Sequence, residues 1–255
     1  GLPPHFTVID ERRSAELREQ ARDQVLAQSN TDTGSHLNRA LNHLAGLVNE
    51  DGFANVMTEL DAGRHKLAAM LSAYDSKNTD NALKILITLG RELLGLAEKD
   101  TEKTIITDAC RDETVDISGL NSAANILRSG TKTDMERGEK LSAWLSDNEK
   151  SRAFTLLEKY FPIFLTQRNQ PRSARGLMTQ TLARVHPQAL DLLLIEQSRI
   201  FAVTQKLKSS QVAENTQALL TVGATLLGAY GRLKSERAMV DYDDLIFHAA
   251  ALLGT

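Results

Sequence analysis

Apolar residues recur at helical spacing along most of the chain. In "SHLNRALNHLAGLVNE", Leu37, Leu41, Leu44 and Val48 fall on one stripe, the i, i+4, i+7, i+11 spacing of an amphipathic helix. Upstream, Asp10 is placed to cap a helix over roughly 11–28, with Leu17, Ala21 and Val25 on its apolar face and the charged side of "ERRSAELREQARDQ" on the other. Asp51-Gly52 reads as a break. "FANVMTELDAGRHKLAAMLSAY" then resumes the helical pattern with Gly63 as its weak point. "TDNALKILITLGRELLGLAEK" follows with Thr79 or Asp80 as cap, and shorter helices fit around 102–111, 117–129, 134–146 and 148–160.

The pattern changes at "YFPIFLTQRNQPRSARG". Pro162, Pro171 and a polar tip predict an extended or hairpin excursion near 161–173. Helices resume near 174–184. Pro187 suits a first-turn position and opens a helix to about Lys208. Another is expected from about Val212 to Glu236, and a last one after the aspartates at 241–244. No repeat of fixed period is present. The expected class is all-α: an irregular multi-helix fold, read as one domain over 1–255.

Composition narrows this further. Aromatics make up 5% of residues and hydrophobics 42%, so Leu, Ala, Ile and Val must build the core. The single Cys110 excludes an internal disulfide and a Cys-rich zinc site, and fits a reducing cytoplasm. No run approaches 18 uncharged apolar residues, so no membrane partner is expected. Pro3, Pro4 and His5 stand where a signal peptide needs a basic and then an apolar run. Catalytic signatures are missing too. The nearest approach to a phosphate-binding G-x-x-x-x-G-K-[ST] is Gly90 to Gly95, followed by Leu96 where lysine is required. H-E-x-x-H, C-x-x-C and G-x-S-x-G do not occur. No catalytic residue and no metal site is assigned.

Two features carry candidate chemistry. The first is "VDYDDL", with Asp241, Asp243 and Asp244 beside Tyr242. Asp241 suits an N-cap and Asp244 the N3 position of a capping box, and Asp243 and Asp244 would meet the positive end of the helix dipole. Asp244 and His248 also share a helical face, but a third metal ligand is lacking. The second feature is a stretch from Lys159 to Leu190 without Asp or Glu. It holds Lys159, Arg168, Arg172, Arg175 and Arg184, with His186 as a further potential charge. In a chain of net charge −3 this is a basic island. Phosphates would reward it through counterion release and bidentate arginine contacts, helped by the neutral donors Thr166, Gln167, Asn169, Gln170 and Ser173. The alternative is a solvated loop whose arginines pair with acids elsewhere. His36 and His43 share a face without a completing ligand and read as surface or packing residues, while Trp144 and Cys110 read as core.

Three stretches together resemble a known family. "GLPPHFTVIDERRSAEL" (1–17) resembles the segment that leads into the accessory domain 1B of superfamily 1 DNA helicases of the UvrD/Rep type. "YGRLKSERAMVDYDDLI" (230–246) is similar to the segment that ends that domain, and "FLTQRNQPRSARGLMTQTLARVHP" (164–187) resembles the AddA subunit of the AddAB helicase-nucleases. Residues 30–150 carry no matching motif. The resemblance implies a 1B-like accessory domain whose ends, 1–17 and 230–255, are junctions to a motor core, with Asp241, Tyr242, Asp243 and Asp244 at the second junction. The chain would begin after the ATP-binding lysine motif and stop before the acidic pair. ATP and Mg would then belong to the parent enzyme, an ATP-dependent helicase with a nuclease acting in double-strand break repair. The implied partners are sequence-independent duplex DNA, the rest of the helicase chain and a second subunit. The competing expectation is a helical scaffold for protein contacts within such a complex.

Overall fold

The computed structural model describes residues 5–253, apart from the side chains of 247, 248 and 250–253. Strand β1 (Thr7–Val8) precedes α1 (Glu11–Thr31), α2 (His36–Leu47), α3 (Glu50–Ala62), α4 (Arg64–Tyr74) and α5 (Thr79–Leu93). Next come α6 (Glu102–Ala109), α7 (Ile117–Arg128), α8 (Lys132–Ser146) and α9 (Glu149–Thr155). A π-helical turn (Leu156–Tyr160) leads into α10 (Phe161–Phe164), α11 (Ala174–Leu177) and α12 (Gln180–Val185). The chain continues through α13 (Pro187–Glu236), β2 (Met239–Val240) and α14 (Tyr242–Leu253). The all-α expectation holds, with one small parallel pairing added. Contacts group the residues into two compact units, one of residues up to Gly90 together with those from Ala213 on, the other Arg91–Val212.

In the first unit, sequence caps set the helix starts. Asp10 Oδ1 accepts from the Arg13 N–H at 2.8 Å, and the Ser35 hydroxyl accepts from Asn38 N–H at 3.1 Å. The expected break at Asp51-Gly52 lies slightly earlier. Asn49 caps α3 by accepting from Gly52 N–H at 2.9 Å, so Gly52 is inside the helix and Val48, outside α2, is exposed rather than on the buried stripe. Gly63 does separate α3 from α4. Leu17, Ala21 and Val25 pack with Leu37, Leu41, Leu44, Met57, Val222 and Leu233. A smaller cluster joins Leu67, Leu71, Ala82 and Leu86 to Ala224. Strands β1 and β2 pair in parallel, Thr7 beside Met239 and Val8 beside Val240, so "FTVID" and "AMVDY" meet.

The second unit is built around Leu120, Leu127, Leu141, Leu156, Leu177, Leu193 and Ile200. Helices α7 and α8 approach closely at Gly138, where a Cβ would stand 2.7 Å from the Ala124 carbonyl oxygen. Trp144 stacks on Tyr160 at 3.6 Å between ring centroids, and Tyr160 meets Phe164 edge-on at 5.1 Å. Cys110 is fully buried in this core, and burial pushes its thiol up to about 11. The excursion is a short hairpin. Leu165 bridges Pro171 antiparallel, Thr166 N–H donates to Gln170 O at 2.8 Å, and Asn169 takes the left-handed turn at φ 55°, which asparagine tolerates better than most residues.

One helix departs from expectation. The separate helices 187–208 and 212–236 are a single 50-residue α13. Ser209, Ser210 and Gln211 weaken the apolar pattern but contain neither Pro nor Gly, so nothing stops the hydrogen-bond ladder. The helix gives residues through Val212 to the second unit and those from Ala213 to the first.

Candidate nucleic-acid interface

The cleft of interest lies in the second unit and begins with Asp134. Its carboxylate caps α8 reciprocally with Thr131. It also accepts from Thr179 N–H at 3.0 Å and the Thr179 hydroxyl at 2.6 Å. Burial would raise its pKa, but the hydrogen bonds from Thr179 and Thr131 prevail and hold it below the usual carboxylate value. The start of α8 is thereby tied to the turn between α11 and α12. One turn on, Arg137 Nη1 donates to Leu177 O at 3.0 Å. On the hairpin side, Arg172 Nε donates to Pro162 O at 3.1 Å. Gln197 Nε2, buried on α13, donates to both Phe164 O and Arg172 O at 2.8 and 2.9 Å, which fixes the hairpin base.

Arg137, Lys140, Lys159 and Arg172 line one cleft of about 760 Å³, together with Trp144, Pro162, Ile163 and the carboxylates of Glu136, Asp147 and Glu158. Burial first, and then the positive charge of Arg172, lowers the pKa of Arg137. Both guanidiniums belong to residues that line this cleft. Among the described residues, neither lies within ion-pair distance of a carboxylate, and the same is true of Lys140 and Lys159. Two guanidiniums in one cleft, each anchored on a backbone carbonyl, suit a multiply charged anion such as a phosphate diester chain.

Of the five island cations, the cleft gathers Lys159 and Arg172. Arg168 in the hairpin, Arg175 in α11 and Arg184 in α12 are exposed, do not line it, and have no carboxylate partner among the described residues. Arg137 and Lys140 escaped sequence reading because acids surround them in "DMERGEK". Their i, i+3 spacing on the predicted helix 134–146 was the available signal.

The aspartates behave differently. Asp244 N–H donates to Asp241 Oδ1 at 2.8 Å, and Asp241 N–H to Asp244 Oδ2 at 3.1 Å, the reciprocal capping box expected from the sequence. Asp241 also accepts from the Tyr230 hydroxyl at 2.7 Å and from Lys234 Nζ at 3.0 Å. Lys234 reaches Asp244 at 2.5 Å and sits 4.5 Å from the Tyr230 ring centroid. Burial would raise the Asp241 pKa, but Asp244 N–H, Tyr230 and Lys234 outweigh it and hold it at about 2. Asp243 meets His65 at 3.1 Å and Arg64 at 3.5 Å, while Tyr242 is exposed. The side chain of His248, the other half of the Asp244–His248 pair, lies outside the described residues. Among the described residues no group of three or more His, Cys, Asp or Glu is placed to hold a metal. His43 Nε2 bonds Asn215 Oδ1 at 2.8 Å, and His36 Nδ1 lies 3.1 Å from Arg39. No described helix is long and apolar enough to cross a membrane. Comparison with protein families, curated proteins and solved structures returned no match to this chain.

Proposed function

We propose that this chain is a DNA-engaging accessory domain of an ATP-dependent helicase-nuclease acting in double-strand break repair, and that it grips duplex DNA through phosphate contacts. The observation that carries this reading is the unpaired cation group of the cleft: Arg137 and Arg172 line one cleft, each anchored on a backbone carbonyl and without a carboxylate partner among the described residues. The resemblance of 1–17, 164–187 and 230–246 to the AddA-type helicases supports the parent activity. ATP and Mg act in that parent, together with the rest of the helicase chain and a second subunit. This chain carries no ATP turnover of its own, and DNA-stimulated hydrolysis that persists through further purification would contradict that. The direct test is titration of fluorescent duplexes of unrelated sequence. Binding is expected in the non-specific range of about 10⁻⁴–10⁻⁶ M, alike for each sequence and weakened steeply by salt. No binding at low salt would remove the reading.

A second reading, a scaffold for a partner protein, draws on Phe154, 90% exposed on α9, with Leu157 three residues on and 46% exposed. A Phe154→Ser change that abolishes pull-down of the complex's second subunit and leaves DNA binding intact would favour it.

A further inference from the structure

The outward face of α9 and the π-helical turn after it has a regular pattern. Arg152, Leu156, Tyr160 and Phe164 are buried at intervals of four residues. Four residues over-rotate a regular α-helix by about 40° per step, so a core face at that spacing would drift away from its neighbours. The π turn winds more loosely, with hydrogen bonds from i to i+5, and takes up the drift over Leu156–Tyr160. The opposite face is straightened with it. Lys150, Phe154 and Glu158 follow the same interval and are all exposed, Phe154 to 90%. Leu157, also exposed, broadens the apolar centre.

The polar groups beside this ridge are engaged within the chain. Glu149 accepts from the Asp112 N–H at 2.8 Å, Asn148 caps α9 by accepting from the Ser151 N–H at 3.0 Å, and Arg152 pairs with Asp112. Lys150 and Glu158, in contrast, have no ion-pair or hydrogen-bond partner among the described residues. The ridge therefore runs cation, aromatic, anion, with equal spacing on either side of Phe154. That order is its own complement. A second ridge, turned about a two-fold axis through Phe154, lies antiparallel to the first. It sets Phe154 on Phe154 and places each Lys150 against the other copy's Glu158. Two-fold contacts have this property: residue i meets j, and j meets i.

We propose that this ridge is a homodimer contact whose occupant is a second copy of this chain. The charge order favours a copy, because the chain itself supplies the matching acid and base at the required offsets. Two ridges of this length bury less than about 1,200 Å², so the dimer belongs to the weak, transient class. It does not depend on the DNA reading.

The test is sedimentation equilibrium of the full 255-residue chain. Over about 10 µM to about 1 mM, the range of weak association, a reversible monomer–dimer equilibrium is expected. Phe154→Ser should abolish it with helicity unchanged by circular dichroism. Lys150→Glu and Glu158→Lys give the sharper readout. Each alone sets like charges opposite one another twice in the dimer and should weaken association about tenfold or more. An equimolar mixture of the two variants should associate at least as well as the wild type, because every charge then faces its opposite. A monomeric wild type at about 1 mM, association unaltered by Phe154→Ser, or a mixture no tighter than either variant alone would each overturn the proposal. The first of these results would leave the ridge to a different protein.

Discussion

The Asp241–Asp244 turn and the acid-free stretch 159–190, which supplies Lys159 and Arg172 to the α8–hairpin cleft, both concentrate charge of one sign in the sequence, and the fold treats them in opposite ways. Around the turn, the acidic groups meet matching donors: Tyr230, Lys234 and a backbone N–H for Asp241, Lys234 for Asp244, and His65 and Arg64 for Asp243. In the cleft, Arg137 and Arg172 are anchored by the backbone carbonyls of Leu177 and Pro162, and by no carboxylate among the described residues. Charge satisfied within the fold stabilises it. Charge positioned but left without a counter-ion is available to a partner. Clustered charge thus has structural meaning in the first region and, under the proposed DNA grip, binding meaning in the second.

The strongest way to break this contrast is Asp241→Ala. It removes the cap, leaves the Tyr230 hydroxyl without its acceptor and leaves the buried Lys234 with Asp244 alone. Losing one member of a buried pair should cost about 3 kcal/mol or more, beyond the about 0.5–2 kcal/mol of a cap alone. Denaturant unfolding measures it, and DNA affinity below the melting range should not change. A cost under about 1 kcal/mol would show that the turn is not a saturated network.

Next in size is Gln197→Leu, which frees Phe164 O and Arg172 O at the hairpin base. Losing these two bonds should cost about 1–3 kcal/mol, chiefly at Arg172 O, since Phe164 O keeps the Arg172 N–H. Hydrogen exchange of Arg172 N–H, which donates to Phe164 O at 3.0 Å, should accelerate, and DNA binding should weaken as Arg172 loses its fixed position. Binding unchanged alongside faster exchange would separate the hairpin from the grip.

A smaller, pH-dependent effect sharpens the comparison. Asp241 is held at about 2 in the folded chain, against about 3.9 when unfolded. Its contribution is therefore complete above about pH 4 and is lost as pH falls toward 2, because protonation then favours the unfolded state. Stability measured from pH 5 to 2 should decline more steeply in the wild type than in Asp241→Asn. Identical slopes would mean that Asp241 does not carry the acid sensitivity.

Local features were legible in the sequence and distant ones were not. Asp10, Gly63, Pro187 and the Asp241–Asp244 capping box act between neighbours in the chain, so their spacing alone placed them. The Leu17–Val25 face and the Leu141–Trp144–Leu145 face follow from helical period. The pairing of β1 with β2 left no trace, since two residues per strand are too few to show alternation. The join at 209–211 is hidden because Ser209, Ser210 and Gln211 weaken the apolar pattern although none of them stops a helix. For the site, the acid-free stretch pointed to Lys159 and Arg172 but not to Arg137, whose neighbours Glu136 and Glu139 hide it in sequence. Only folding brings Arg137 into one cleft with Arg172.

The central claim is that the unpaired cleft cations bind phosphates, and salt dependence tests it most directly. Log affinity for a fluorescent duplex is plotted against log salt for the wild type and for Arg137→Gln/Arg172→Gln, with helicity checked by circular dichroism. Each phosphate contact contributes about 0.9 to the slope, so the double variant should bind more weakly and lose about 1.8 from its slope, with the same loss on unrelated sequences. An unchanged affinity and slope in a fully helical double variant would contradict the account and place the DNA-binding face away from this cleft.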